Sequence, residues 1–186
     1  MTAPAAGRFN KDKGCYRGKS MKPRQLKDMK EVSKTLDGIP KFYAGSRSKN
    51  YPKPLKQLRK YDMVTDIIEV ANNHVVVFAY RRRPLLIQCK FYAYWGLRTT
   101  EGKLIPLMIF HDHPDHKGLH VKLPCKTDPD IDFTSRELPG APELKVYGSS
   151  SPDIRTDAGI SELVNLFCKA AGITIKEKVY FQESLF

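Results

Sequence analysis

The sequence predicts an α+β fold: an antiparallel β-meander packed by a C-terminal helix, with a basic, partly extended N-terminal arm. Three observations predict it: an excess of positive charge at the N-terminus, β-branched and aromatic runs separated by short turns, and one amphipathic helical stripe. Residues 1–60 contain 17 Lys/Arg and 4 Asp/Glu, whereas residues 61–186 contain 15 and 16. We therefore predict a basic arm over residues 1–60 and a globular α+β domain over residues 61–186.

Most of the arm has no periodic apolar pattern, which predicts an extended conformation. A short helix is expected to begin near Pro23 and to end at Gly38, since proline suits a first helical turn and glycine suits a stop. Its apolar positions, at helical spacing, are Leu26, Met29, Val32 and Leu36. Residues 39–60 return to Pro, Gly, Ser, Tyr and cations, which predicts an extended linker or a second arm.

The predicted sheet begins near Tyr61, where the composition changes. Strands are expected over residues 63–70, 74–81, 85–95, 104–113 and 121–123. Asn72-Asn73 and the run from Thr100 to Lys103 are turn sequences. Because the connections are short, consecutive strands should be antiparallel neighbours.

The last helix has a complete set of boundary signals. Asp157 can cap its N-terminus and Gly172 can end it. Its apolar stripe, which should cover one face of the sheet, consists of Ile160, Leu163, Val164 and Phe167. Residues 124–157 are rich in Pro, Asp, Ser and Gly and should form an irregular surface segment with one strand at 144–147.

Several protein classes are disfavoured by what the sequence lacks. The apolar runs are far shorter than the about 20 residues that cross a bilayer. The N-terminus has no secretory apolar core, so we expect a cytoplasmic protein that does not contact a membrane. The four cysteines are widely spaced, which favours free thiols over a zinc ribbon. No phosphate-binding glycine loop, nucleophile elbow or dinucleotide fingerprint occurs.

The basic arm is typical of a segment that binds a polyanion. Its cations can neutralise phosphates, and Tyr16, Phe42, Tyr43 and Tyr51 can stack on exposed bases. RNA or DNA is therefore the expected partner, with an acidic protein as the alternative. The candidate phosphate-binding residues are Arg8, Lys11, Lys13, Arg17, Lys19, Lys22, Arg24, Lys27, Lys30, Arg47, Lys49, Arg81, Arg82 and Arg83.

Four of the five histidines lie within ten residues, at and after the end of a predicted strand. Two imidazoles and a lysine can perform phosphodiester transesterification as base, acid and electrostatic stabiliser. The residues for that chemistry are His111, His113, His120 and Lys122. Alternatively, a divalent ion such as Zn²⁺ or Mn²⁺ could be bound by His111, His113, Asp115 and His116. A third interpretation gives these histidines no shared role.

Two resemblances concern this region. The string from His111 to His116 is similar to the HxHxDH signature of the metallo-β-lactamase superfamily, but no histidine follows His120 to complete that ligand set. The Phe91-Tyr-Ala-Tyr94 run, the Glu101-Gly102 turn, the histidine-rich strand end and the closing helix resemble small prokaryotic toxin–antitoxin and mobile-element proteins of the TumE type, over residues 62–186. This second resemblance implies a toxin or defence protein that acts on RNA.

Three functional hypotheses remain open from the sequence. The first is a nucleic-acid-binding protein that grips phosphates with its arm, extended to an RNA- or DNA-cleaving site at the histidines. The second is a non-catalytic accessory subunit of a nucleoprotein complex. The third is a metal-dependent hydrolase. His74 is expected to be structural, while Tyr92, Tyr94 and Trp95 are either a stacking surface or core.

Overall fold

The computed structural model describes residues 28–113, 118–122, 132–134 and 152–176. It confirms the α+β class, with an antiparallel sheet packed against a C-terminal helix, Asp157–Ala171. The strands are β1 (Lys34–Asp37), β2 (Tyr43–Ala44), β3 (Met63–Val64), β4 (Ile68–Ala71), β5 (His74–Arg81), β6 (Lys90–Arg98), β7 (Leu104–His113), β8 (Gly118–Lys122), β9 (Asp132–Thr134) and β10 (Ile173–Lys176). Short 3-10 helices occupy Gly45–Asn50, Leu55–Lys60 and Leu86–Gln88.

Within the described residues, eight strands form one sheet in the order β2-β3-β5-β6-β7-β8-β9, and β4 also pairs with β5. All of these pairings are antiparallel, so β5 to β8 form the expected meander. The turn before β5 is the expected one, with Asn73 at a positive φ of 63°, a conformation that asparagine tolerates better than most residues. The second sheet is a parallel pair of β1 and β10.

The C-terminal helix covers one face of the large sheet. Phe167 is fully buried and meets Phe78 and Phe110 edge-on, with ring centroids 5.2 and 5.8 Å apart. The helix ends at Gly172, as predicted, and this glycine is in the left-handed conformation. Its N-cap is Thr156 rather than Asp157, because the threonine hydroxyl accepts the backbone N–H of Gly159 at 3.0 Å.

The helix predicted to end at Gly38 is wrong in its second half. Helical conformation is described for residues 28–31, whereas Lys34–Asp37 is a strand. Lys34 and Leu36 are buried there and alternate with more exposed neighbours, which is the two-residue period of a strand. The spacing of Val32 and Leu36 fits both periods, so the apolar pattern alone did not separate a helix from a strand.

The extended linker expected over residues 39–60 is also wrong. This segment contains β2 and two 3-10 helices, and β2 pairs with β3 across the boundary expected at residue 60. The strand expected over 63–70 is two strands, β3 and β4, interrupted at Thr65. The Thr65 hydroxyl accepts the backbone N–H of Phe78 at 3.0 Å, so a side chain shares the hydrogen bonding of the ladder there.

Two further strand boundaries differ from the prediction. β6 begins at Lys90 rather than at residue 85, because a 3-10 turn follows Pro84. The last strand of the meander, predicted at 121–123, is β8. The strand expected at 144–147 lies outside the described residues. None of the helices in the described part of the chain has the length and apolar character needed to cross a membrane.

His74 is structural, as expected, in the sense that its side chain is buried and hydrogen-bonded. The Trp95 indole donates to His74 Nδ1 at 3.1 Å, which requires that nitrogen to be unprotonated. Burial lowers the pKa of His74, and the nearby Lys34 ammonium lowers it further. That ammonium is itself buried over the Trp95 ring, 4.9 Å from its centroid, and donates to the carbonyls of Met29 and Val32 at 2.8 Å. Trp95 is therefore part of the core rather than an exposed stacking surface.

Candidate nucleic-acid interface

Residues 45–61, which we call the cationic layer, cover the sheet face opposite the C-terminal helix. Leu55 and Leu58 are fully buried and belong to an apolar cluster with Tyr92 and Tyr94 of β6. Alternate residues of a strand point to opposite faces, so these two tyrosines face the layer while their neighbours face the helix. Both faces of the sheet are therefore covered, whereas the sequence predicted a covering element for one face only.

The cationic layer has a defined backbone. A 3-10 helix has about three residues per turn, so Leu55 and Leu58 share its inner side. The Tyr51 hydroxyl donates to the Thr65 carbonyl at 2.5 Å and fixes the link between the two 3-10 helices. A side chain at Gly45 would place its Cβ 1.8 Å from the backbone carbonyl oxygen at residue 61, so only glycine permits this close approach.

The charge of the layer is of one sign. Residues 45–61 contain six cations and no acid. All six are exposed, and the buried residues of the layer are apolar or small. These cations are Arg47, Lys49, Lys53, Lys56, Arg59 and Lys60.

Five of the six cations have no carboxylate partner among the described residues. Arg47 pairs with Asp66 at 2.9 Å and lies over the Tyr43 ring, 4.0 Å from its centroid. The remaining five form no ion pair with any residue in the described ranges. The charge of the layer is consequently available to an external anion.

The arginine run at the end of β5 is placed differently. Arg82 pairs with Asp157 at 2.5 Å, and Arg83 pairs with Asp62 at 2.6 Å. Arg81 donates to the last carbonyl of the second 3-10 helix. The sequence suggested these three guanidinium groups for phosphate binding. Instead they tie three parts of the protein to the end of β5: the C-terminal helix, the cationic layer and the residue that follows the layer.

Sequence reasoning identified only part of the layer. Arg47 and Lys49 were predicted, whereas the following cations were missed: Lys53, Lys56, Arg59 and Lys60. A local pattern was present, since Leu55 and Leu58 are three residues apart with cations between and after them, but it does not show which distant residues bury the two leucines. Of the other predicted residues, Lys30 lies in the described helical turn, half-buried and not free of contacts. Those from Arg8 to Lys27 lie outside the described residues.

Two of the predicted histidines meet across the sheet. His111 of β7 is the register partner of His120 of β8, and their rings are stacked with centroids 5.2 Å apart and planes 18° apart. His111 also meets Tyr92 edge-on at 5.0 Å. His120 is 4% exposed, whereas His111 is half-buried.

The histidine pair adjoins the cationic layer. Tyr92 contacts the layer through the Tyr61 ring, with centroids 5.9 Å apart, and through the Gln57 amide at 3.5 Å from its hydroxyl. Burial raises the pKa of Tyr61 to about 12, so its hydroxyl stays neutral at physiological pH. One continuous sheet face therefore carries the imidazole pair and the layer of cations.

The structure brings together some of the predicted chemical groups. Lys122 lies two residues after His120 in β8, hence on the same face of the sheet. Asp112 is fully buried and lies on the opposite face from His111. His113 is the last residue of β7, and the side chain of this residue lies outside the described part.

The arrangement permits two kinds of chemistry. Two imidazoles beside a cation can act as base and acid in phosphodiester cleavage. They can also supply two nitrogen ligands to a metal ion. The described residues contain no group of three or more His, Cys, Asp or Glu placed to hold a metal. Asp115 and His116, which the metal hypothesis requires, lie outside the described residues.

Comparison with known proteins gives no relative for this chain: no family model, no curated protein and no solved structure matches it.

Proposed function

We propose that this protein binds nucleic acid through its phosphate backbone, and that the cationic layer is the folded part of the binding surface. The observation that carries the proposal is a set of five exposed cations without a carboxylate partner in the described structure, on a layer without acids. Binding that neutralises phosphates releases counterions, so lysines and arginines in such a layer supply affinity without reading sequence.

The contrast with the arginine run supports the proposal. Arg82 and Arg83 already hold carboxylates, so a phosphate would have to displace those partners. Lys53, Lys56 and Lys60 are exposed and have no ion pair within the described ranges. The basic arm, with eight further Lys/Arg and one Asp in residues 1–27, adds charge to the same chain.

A matched pair of variants tests the role of the layer. In the full chain, Lys53→Gln, Lys56→Gln and Lys60→Gln together remove three layer charges. Lys103→Gln, Lys169→Gln and Lys176→Gln together remove three exposed charges elsewhere and leave the same net charge. We expect the layer variant to weaken binding to an oligonucleotide by about tenfold or more at low salt, and the control variant to weaken it much less.

The probes separate nucleic acid from an acidic protein. Binding is measured by fluorescence anisotropy with a labelled oligonucleotide and with poly-glutamate of similar charge. Tighter binding to the oligonucleotide, reduced by the layer substitutions, supports the proposal. Equal loss in both variants would show that only total charge matters, and tighter binding to poly-glutamate would favour an acidic protein as the partner.

The stacked histidine pair supports a second function, cleavage of RNA by transesterification. One imidazole would remove the proton of a 2′-hydroxyl, whose oxygen attacks the phosphorus, while the other would protonate the departing 5′-oxygen. Lys122, on the same face, would stabilise the negative charge that develops on the phosphate. The pairing of His111 and His120 across two strands is the observation that favours it.

Single substitutions test cleavage separately from binding. His111→Ala and His120→Ala should each abolish RNA cleavage on a denaturing gel while binding in the same buffer stays within about twofold, because the layer cations remain. His113→Ala tests the third histidine in the same way. If wild-type protein cuts no RNA with or without divalent metal, the protein is a binding component without this catalytic activity.

A further inference from the structure

We infer that the cationic layer accepts double-stranded nucleic acid and holds it by the phosphates alone, without stacking on bases. The inference rests on the proposed function and specifies its substrate. It follows from where the aromatic side chains of the layer and of its immediate neighbours point. The sequence pattern suggested the opposite, namely bases of a single strand stacked on the interleaved rings.

Of the rings expected to stack, Tyr51 is buried and Phe42 is half-buried. Tyr51 is 8% exposed, and its hydroxyl is held by the Thr65 carbonyl at 2.5 Å. Phe42 packs edge-on against Tyr80, with ring centroids 4.9 Å apart. The Tyr51 ring cannot present a face to a base without breaking these contacts, and Phe42 is partly buried against the core.

The other two aromatic rings in this region also contact side chains of the protein. Tyr43 carries the Arg47 guanidinium 4.0 Å from its centroid and the Lys41 ammonium at 5.5 Å. Tyr61 lies against Tyr92 at the inner side of the layer. Every aromatic side chain whose exposure the structure describes is buried or half-buried.

A surface of cations without rings favours a duplex over a single strand. Single strands gain much of their affinity for proteins from bases that stack on aromatic side chains. A duplex keeps its bases stacked inside and presents about one negative charge per 1.7 Å of axis, a higher density than a single strand offers. The layer also has its backbone fixed by Leu55, Leu58 and Tyr51, so its charges suit a stiff backbone better than a flexible one.

The test compares a duplex of about two helical turns with each of its single strands, using the full chain at one salt concentration. We expect the DNA duplex to bind about tenfold more tightly than either strand. A DNA and an RNA duplex should bind within about threefold of each other, because phosphates are common to both. The substitutions Lys53→Gln, Lys56→Gln and Lys60→Gln together should remove most of the duplex preference, and the Lys103, Lys169 and Lys176 control should retain it.

The possible contradictory results are distinct. Single strands that bind as tightly as the duplex would overturn the inference and leave nucleic-acid binding intact. If the layer variant still prefers the duplex, the preference comes from residues outside the layer, and the inference is overturned as well. A preference above about tenfold for one type of duplex would show that sugars or bases are read, against a phosphate-only surface. Absence of binding to every probe would overturn the proposed function itself.

A second variant examines stacking directly. Tyr43→Leu removes the half-buried ring of β2 that lies beside the layer cations. If no base stacks on it, single-strand affinity should stay within about twofold, whereas loss of a stacked base would cost roughly tenfold or more. A loss of that size with an unchanged circular dichroism spectrum would contradict the inference.

Discussion

The two faces of the large sheet are covered in different ways. The C-terminal helix covers one face with nine buried residues, and its sequence has two acids and one lysine. The cationic layer covers the other face with two short 3-10 helices, and its sequence has six cations and no acid. The helix face thus supplies most of the apolar core, whereas the layer combines a smaller core with a strongly charged outer surface. The difference suggests that stability and binding depend on different faces and can be separated by mutation.

Removing a ring from the helix face should have the largest effect on stability. Phe167→Ala deletes a fully buried side chain that contacts Phe78 and Phe110. We expect a loss of about 3–5 kcal/mol in the free energy of unfolding, because a cavity remains in a packed core. Urea denaturation measures this loss, and oligonucleotide affinity of the folded fraction should be unchanged. A large loss of affinity in fully folded protein would contradict the separation of the faces.

Removing a leucine from the layer should affect both properties. Leu58→Ala deletes a fully buried side chain beneath the exposed cations, and we expect a loss of about 2–4 kcal/mol in the free energy of unfolding. Unlike Phe167→Ala, this substitution should also weaken duplex binding, because it loosens the backbone that carries the lysines. Hydrogen exchange should increase over residues 45–61 rather than over the C-terminal helix. Unchanged duplex affinity despite that exchange would show that the fixed backbone of the layer is unimportant for binding.

Acid should weaken the helix side of the sheet through His74. Its pKa is lowered in the folded protein by burial, and protonation of Nδ1 would break the bond from Trp95. The corresponding stability is therefore present above pH 6.5, the unfolded value, and is lost as the pH falls through the lower folded pKa. The slope should not exceed about 1.4 kcal/mol per pH unit from this group. The His74→Gln variant can still accept the Trp95 hydrogen bond but does not titrate in this range. In urea titrations between pH 7 and about 5, its free energy of unfolding should therefore lack this pH dependence. If the dependence on pH is the same as in the wild type, the acid sensitivity belongs to other groups.

Much of the helix face could be predicted from the sequence because its signals are local. The stripe from Ile160 to Phe167, the stop at Gly172 and the turn at Asn73 each depend on a few neighbouring residues. The boundaries of β5 and β7 match the expected ranges for the same reason. The prediction of a single strand over 63–70 was wrong because the Thr65 hydroxyl, rather than a backbone carbonyl, accepts the N–H of Phe78.

The layer face could not be predicted because its order depends on distant contacts. Leu55 and Leu58 are buried only because the sheet brings Tyr92 and Tyr94 beneath them. The strand at Lys34–Asp37 likewise depends on its pairing with Ile173–Lys176, at the far end of the chain. A charge count shows where cations are concentrated but not which of them hold carboxylates, and the Arg82 and Arg83 ion pairs illustrate that limit.

The candidate histidine site could be predicted in part. The sequence placed the histidines at and after the end of a predicted strand and grouped His111, His113 and His120 as partners in one chemistry. The register that places His120 directly opposite His111 required the structure. The proximity of this pair to the cationic layer, through Tyr92, was not foreseen.

The most direct test of the central claim is the salt dependence of duplex binding, measured for wild type, the Lys53/Lys56/Lys60→Gln variant and the Lys103/Lys169/Lys176→Gln control. Each lysine that contacts a phosphate contributes about one unit to the slope of log affinity against log salt concentration. We predict that the slope decreases by about 3 in the layer variant and stays at the wild-type value in the control. Identical slopes in all three proteins would contradict the claim that the cationic layer binds phosphates.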